Sequence, residues 1–293
     1  AHDWPTREFI VNATSEKMVE VAPLDFALQQ VRTMNRWIWP LWLAGLVHLA
    51  RRPERRALAI AYLAVFALLA ASGSSRPGYL APAYTWLFAA GGVAFETFFA
   101  KRGSRRLRWA VPALVLVLGA IRAPLALPLL AVDGYVEHAR RLGVAPGTSE
   151  KKELALLPQQ FADMHGWESI VATVERAWSS LTPDERKRAA VFASNYGEAG
   201  AVERLAVDPE LREAVVSGHN NYWLWGARGK TGEVVIVVNS EEDDVREFFT
   251  RVEPAGRTAC GHCMPYENDA PVWIGRLPRR SLADAWPALK HYD

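Results

Sequence analysis

The turn Asn195-Tyr196-Gly197-Glu198-Ala199-Gly200-Ala201 brings an amide, a phenol and a carboxyl together directly after a short apolar run. Ligand crevices form at the carboxyl ends of strands in open α/β sheets, so a turn of this kind can line a pocket. Asn195, Tyr196, Glu198, His219 and Asn220 are the candidates. A tight strand-to-helix turn without a ligand is the plain alternative. The glycines lack the G-x-G-x-x-G spacing and no P-loop lysine follows, so neither nucleotide fingerprint is present.

The other constellation is Cys260-Gly261-His262-Cys263, which holds both cysteines of the chain. Outside the cytoplasm such a pair tends to be oxidised. A redox C-x-x-C is expected to run into a helix that lowers a thiol pKa, and Met264-Pro265-Tyr266 does not read as one. Zinc needs a fourth ligand and none falls at a standard spacing, so no metal ligand is assigned. A local disulfide and two free thiols both stay open.

Alternating strands and helices must position these residues. The run Ala189–Ala193 reads as a buried strand, and residues 233–239, continuous and β-branched, read as a fully covered parallel strand. Residues 271–276 read as a further strand. Helical spacing over 167–181 places Ile170, Val171, Val174 and Trp178 on one side. Thr182-Pro183-Asp184-Glu185 is a helix-start signature: a threonine cap, proline at the first position and acids in the first turn. Residues 133–142, 241–251 and 281–286 complete the helices. The alternation predicts a small three-layer α/β domain.

The region before it has another character. Mean hydropathy is −0.04 over the whole chain, yet residues 35–132 are strongly apolar. The runs 37–50, 57–75, 77–95 and 109–132 read as four transmembrane helices, the last broken by Arg122 and holding Pro112, Pro124 and Pro128. Trp37, Trp39 and Trp42 sit as an interfacial aromatic belt would. Arg51, Arg52, Arg55 and Arg56 fill the first loop, and Lys101, Arg102, Arg105, Arg106 and Arg108 the third; the second has only Arg76. The positive-inside rule then puts both termini outside the cytoplasm.

The expected fold class is therefore membrane all-α, with four transmembrane helices, followed by a small three-layer α/β extracytoplasmic domain. Residues 1–34 form an extracytoplasmic loop and interfacial helix, 35–132 the transmembrane region and 133–293 the outer domain. The net charge of +2 is concentrated in two short loops, which argues against a nucleic-acid partner. The chain opens Ala1-His2-Asp3-Trp4 with no basic segment before an apolar stretch, so no signal peptide is expected.

Several stretches carry a resemblance. His2-Asp3-Trp4-Pro5-Thr6-Arg7-Glu8-Phe9-Ile10 is similar to the HGWPT-x-EFI loop of the bacterial family 39 glycosyltransferases. Gly73-Ser74-Ser75-Arg76-Pro77-Gly78-Tyr79-Leu80-Ala81-Pro82-Ala83-Tyr84 resembles their (S/G)-K-x-x-Y-L-x-P-x-Y element. Leu157-Pro158-Gln159-Gln160-Phe161-Ala162-Asp163, the turn at 195–201, Ser217-Gly218-His219-Asn220-Asn221-Tyr222 and Met264-Pro265-Tyr266-Glu267-Asn268 look like that family's tail. The likeness runs nearly end to end.

The resemblance implies a membrane enzyme of the GT-C architecture, akin to protein O-mannosyltransferases and the aminoarabinose transferase of lipid A. Such an enzyme moves a sugar from a polyprenyl-phosphate carrier to an acceptor lipid, glycan or protein. The implied location is the bacterial inner (cytoplasmic) membrane, multi-pass, in contact with the lipid bilayer. The family's base is a carboxylate in an earlier loop, so no catalytic residue is assigned. The chain is expected to be a C-terminal portion that does not catalyse alone.

Arg76, Tyr79 and Tyr84 are implied to bind the carrier phosphate, which needs fixed positive charge and hydrogen-bond donors. The family's lysine is Arg76 here, which keeps the charge but changes its geometry; an interfacial Arg–Tyr anchor is the other account. No cofactor is implied for this portion, and the metal requirement of the complete enzyme is open. The alternative function is a membrane-anchored ligand-binding or structural module.

Overall fold

The structure, a computed structural model, describes residues 4–103 and 105–293, with the side chains of Arg105, Leu107 and Arg108 left aside. His2 and Asp3 of the first resemblance motif lie outside the described residues. The chain divides into two compact units: residues 18–143, and residues 1–17 together with 144–293. Helix α1 (Pro5–Asn12) belongs to the second unit and ties down its last residues. Glu8 pairs with Lys290 at 2.6 Å, and Asn12 Nδ2 donates to the Tyr292 carbonyl at 2.8 Å.

Residues 18–143 are helical: α2 (Pro23–Thr33), α3 (Trp39–Ala50), α4 (Arg56–Ala71), α5 (Ala81–Lys101), α6 (Arg105–Arg122) and α7 (Val132–Arg141). Proline starts α2 and lies one residue inside α3 and α5, where its missing N–H leaves no bond unmade. Phe26, Trp42, Leu49, Tyr62, Tyr84 and Leu87 form the core. Helices α3 and α5 touch through glycine. A Cβ at Gly45 would lie 1.9 Å from the Leu87 carbonyl oxygen, and one at Gly91 would lie 2.0 Å from that of Leu41.

Four transmembrane helices at 37–50, 57–75, 77–95 and 109–132 are not what forms. Among the described residues no helix is long and apolar enough to cross a membrane. At 1.5 Å per residue, α3 with 12 residues and α4 with 16 fall short of a hydrocarbon core of about 30 Å. Helix α5 has 21 residues but carries Pro82, Gly91, Gly92, Glu96 and Lys101. Helix α6 includes four arginines and ends at Arg122, so the run 109–132 is not one helix. The membrane fold class, the transmembrane region and the multi-pass inner-membrane placement are corrected accordingly.

The second unit is α/β. Helices α8 (Gln159–Ala162), α9 (Trp167–Ser180) and α10 (Pro183–Arg188) lead into β1 (Ala189–Ala193). Then come α11 (Tyr196–Leu205), α12 (Pro209–Glu213), β2 (Val215–Val216), α13 (Asn221–Leu224), β3 (Val234–Val238) and α14 (Glu242–Phe248). Strands β4 (Phe249–Arg257) and β5 (Pro271–Pro278) and helix α15 (Leu282–Ala285) complete it. The sheet order is β2-β1-β3-β5-β4, parallel across β2, β1 and β3 and antiparallel at β5 and β4.

Both faces of this sheet are covered, which is why its centre has no polar alternation. Val191, Ile236 and Ile274 pack with Ile170, Val174 and Trp178 of α9 and Val202 of α11. Val235 and Val237 point the other way, onto Val245 of α14 and Leu282 of α15. All five β3 residues are buried, and each such side chain contributes about 1.5–3 kcal/mol. Thr182 caps α10 with Glu185 in a reciprocal capping box.

The helix expected over 241–251 ends at Phe248, and β4 begins at Phe249. Residues 249–257 pair with β5 instead, and the Phe249 ring lies where a Cβ on Gly275 would come within 2.5 Å of it. Strand β4 is an edge, and its register shifts between Pro254 and Gly256, where a proline is tolerated.

Candidate functional site

The topological switch point lies where the chain leaves β1 for α11 towards β2 while β3 occupies the opposite flank of β1. Sheets of this type switch direction there and leave room at the strand ends. The two loops are stitched together: Ser194 Oγ lies 2.8 Å from the Val238 carbonyl and 3.0 Å from Ser240 Oγ. Asn195 caps α11, accepting the Glu198 N–H at 2.9 Å, which satisfies one of the free amides of the first turn.

Glu198 points inward. It is fully buried, accepts from Asn239 Nδ2 at 2.6 Å and lies 3.4 Å from the Asn195 amide. Burial pushes its carboxyl up to about 7, against the pull of the Asn239 and Asn195 hydrogen bonds. It supports the turn from beneath and does not line a surface.

The accessible groups here are Tyr196, His291 and Asp293, with buried His219 packed against all three. His219 follows β2 and is buried; its Nδ1 accepts the Tyr196 amide N–H at 3.3 Å. Tyr196, 52% exposed, has its ring 4.8 Å from the His219 ring, and His291 stacks on the His219 ring at 4.5 Å and 25°. Backbone bonds pin the stack: Asn220 N–H to the His291 carbonyl at 2.9 Å and His291 N–H to the Gly218 carbonyl at 3.1 Å. Only glycine fits at 218, since a Cβ there would lie 1.9 Å from the Leu289 carbonyl oxygen.

Asp293 closes the set. Its Oδ1 lies 3.2 Å from His219 Nε2, and its carbonyl accepts from Asn220 Nδ2 at 3.2 Å. The hydrogen bond from His219 holds the Asp293 carboxyl down at about 2. Asn220 adopts φ 51 and ψ −132, a conformation uncommon for a residue with a side chain.

His219, His291 and Asp293 offer ligand atoms within 4.8 Å of one another, the one such group of three among the described residues. The tautomer weighs against a metal there. Nδ1 of His219 accepts an amide N–H, so in neutral His219 the proton sits on Nε2, aimed at Asp293. A metal-bound imidazole instead needs a proton on its far nitrogen, donated outward. The set is better arranged as a hydrogen-bonded shelf with two aromatic contacts to His219.

Of the residues picked from sequence, Asn195, Tyr196, Glu198, His219 and Asn220 all fall in this one locality. His291, Asp293 and Asn239 were not legible there, because only tertiary pairing brings them in. The carrier-phosphate set separates. Arg76 is half-buried, with Nη2 3.8 Å from the Met18 sulfur, and Tyr79 is exposed. Tyr84 is buried, its hydroxyl donating to Gln30 Oε1 at 3.1 Å and meeting Tyr62 at 3.3 Å. That tyrosine is a core residue of the helical unit.

No family model, curated protein or solved structure matches the chain.

Proposed function

We propose that the α/β unit is the ligand-binding part of a glycosyltransferase and holds a sugar-bearing acceptor on the shelf beside the β1–α11 turn. The observation that carries this reading is the row Tyr196–His219–His291 with Asp293 next to it. Aromatic side chains offer a flat apolar face with a polar tip. Imidazole, carboxylate and amide groups alternate as donors and acceptors around it. A sugar presents the matching surface, with apolar C–H faces and a rim of hydroxyls. The resemblance to family 39 supplies the reaction class, transfer from a polyprenyl-phosphate-linked sugar. Arg76 and Tyr79 of the helical unit are the groups assigned to the donor phosphate on this reading.

Equilibrium titration of the full chain with methyl mannoside, an aminoarabinose glycoside and mannose 1-phosphate tests it. Saturable binding on the order of 1 mM, about −4 kcal/mol, is expected for at least one sugar and is weakened in Tyr196→Ala. Binding of none of them, with the chain folded, contradicts the reading. Binding that survives Tyr196→Ala unchanged moves the ligand elsewhere.

A further inference from the structure

The segment 258–270 between β4 and β5 is a closed loop held by its own polar groups. Thr258 Oγ1 donates to the Glu267 carbonyl at 2.6 Å and accepts from Ala270 N–H at 2.9 Å. Cys260 N–H donates to Asn268 Oδ1 at 2.9 Å, and Ala259 N–H donates to Ser169 Oγ in the first turn of α9 at 2.8 Å. The loop is thereby docked against the start of a 14-residue helix. A Cβ on Gly166, the residue that caps α9, would lie 3.5 Å from both cysteine sulfurs. A single 3-10 turn, Pro265–Glu267, follows Cys263, and the amino end of α9 lies beside the pair from another part of the chain.

The two thiols differ in access and in partners. Cys260 is part-exposed and its Sγ accepts the Cys263 amide N–H at 3.0 Å. Cys263 is buried, and its thiol is in hydrogen-bond contact with Cys260. Burial raises the Cys263 thiol above its ordinary range, and the Cys260 thiol and the Glu267 charge raise it further. Glu267 is buried, and its Oε2 has no hydrogen-bond partner. Burial pushes the Glu267 carboxyl up to about 7, with Asp163 and Glu198 adding their charge. Tyr266 and the Met264 backbone bond the same carboxyl.

We propose that Cys260 and Cys263 form a thiol–disulfide exchange site, with Cys260 attacking and Cys263 resolving. The co-reactant is a small-molecule or peptide disulfide. Cys260 loses its proton to solvent, its thiolate attacks one sulfur, a mixed disulfide forms, and the first thiolate leaves. Cys263, whose thiol rests against the Cys260 carbonyl at 3.4 Å, then loses its proton to solvent and attacks the Cys260 sulfur. The intramolecular disulfide closes and the second thiolate leaves. Two electrons pass from the protein dithiol to the external disulfide, and no bond is left unaccounted.

The test equilibrates the full chain with glutathione at graded reduced-to-oxidised ratios, alkylates after an acid quench and weighs the protein. One intramolecular disulfide should appear and disappear reversibly across those ratios. Cys263→Ser should accumulate the Cys260–glutathione adduct, and Cys260→Ser should form none. Two thiols alkylated at every ratio, or no adduct in Cys263→Ser, overturns the site. One zinc bound per reduced chain and lost in both cysteine variants also overturns it, because the pair is then a metal ligand set. The wild-type titration decides even if a variant fails to fold.

Discussion

The Nδ1 atom of His219 accepts the backbone N–H of Tyr196 at 3.3 Å, so the turn after β1 and the loop after β2 are fastened through one ring nitrogen. The same ring turns its other nitrogen to Asp293. His219→Ala removes both bonds and leaves a half-buried amide without its partner, at a cost of about 1–3 kcal/mol. Denaturant unfolding of the variant measures that loss. The Asp293 carboxyl, held at about 2 against an ordinary 3.8, should return towards its ordinary value. A depressed acid contributes stability above 3.8 that is lost as pH falls through about 2. The acid limb of the stability curve should therefore flatten in His219→Ala.

Glu198 and Glu267 shift the other way. Each carboxyl rises from 4.5 to about 7 in the folded chain, so each contributes stability that is full below pH 4.5 and is lost as pH rises through 7. Stability measured from pH 4.5 to 7.5 should fall, and Glu198→Gln and Glu267→Gln should each flatten part of that slope. A slope in either variant that is unchanged from that of the unsubstituted chain contradicts the assignment for that carboxyl.

The close glycine contact between α3 and α5 makes a sharper prediction. Gly45→Ala or Gly91→Ala would drive a Cβ to within 2.0 Å of a backbone oxygen, which no rotamer change relieves. The two helices must move apart, at a cost of about 1–3 kcal/mol or more. Gly92→Ala, where a Cβ meets nothing within 4 Å, should be neutral or slightly stabilising. Paired thermal melts of the three variants check this.

The Thr182 cap is a purely local prediction. Thr182→Ala removes the hydroxyl that accepts the Glu185 N–H at 3.2 Å and should cost about 1 kcal/mol. Thr182→Ser should restore most of it, as read in the unfolding midpoint.

Where local sequence decides the outcome, the fold was readable. Strand β3 shows as Val-Val-Ile-Val-Val because both its faces are covered, and the Thr182–Glu185 box announces α10. Strand β2 has two residues, too few to make a period. Strand β4 follows α14 with no turn signal between them. The helical region was readable as helices and misread as spans. Apolar residues such as Ile60, Leu63 and Leu68 on α4 and Leu114, Leu116 and Val117 on α6 are exposed in the structure, so composition alone did not tell the face or the length. At the shelf, Tyr196 and His219 announced themselves beside turns. His291 and Asp293 arrive from the chain's last residues, through a bridge between His219 and His291 that no local pattern encodes.

The most direct measurement is an amide-resolved NMR titration of the isotope-labelled full chain with methyl mannoside and an aminoarabinose glycoside. Saturable shifts centred on Tyr196, Asn220 and His291, and lost in Tyr196→Ala, are the predicted result. Shifts that appear only away from those three residues, or none up to the solubility limit, would contradict a ligand shelf at the β1–α11 turn.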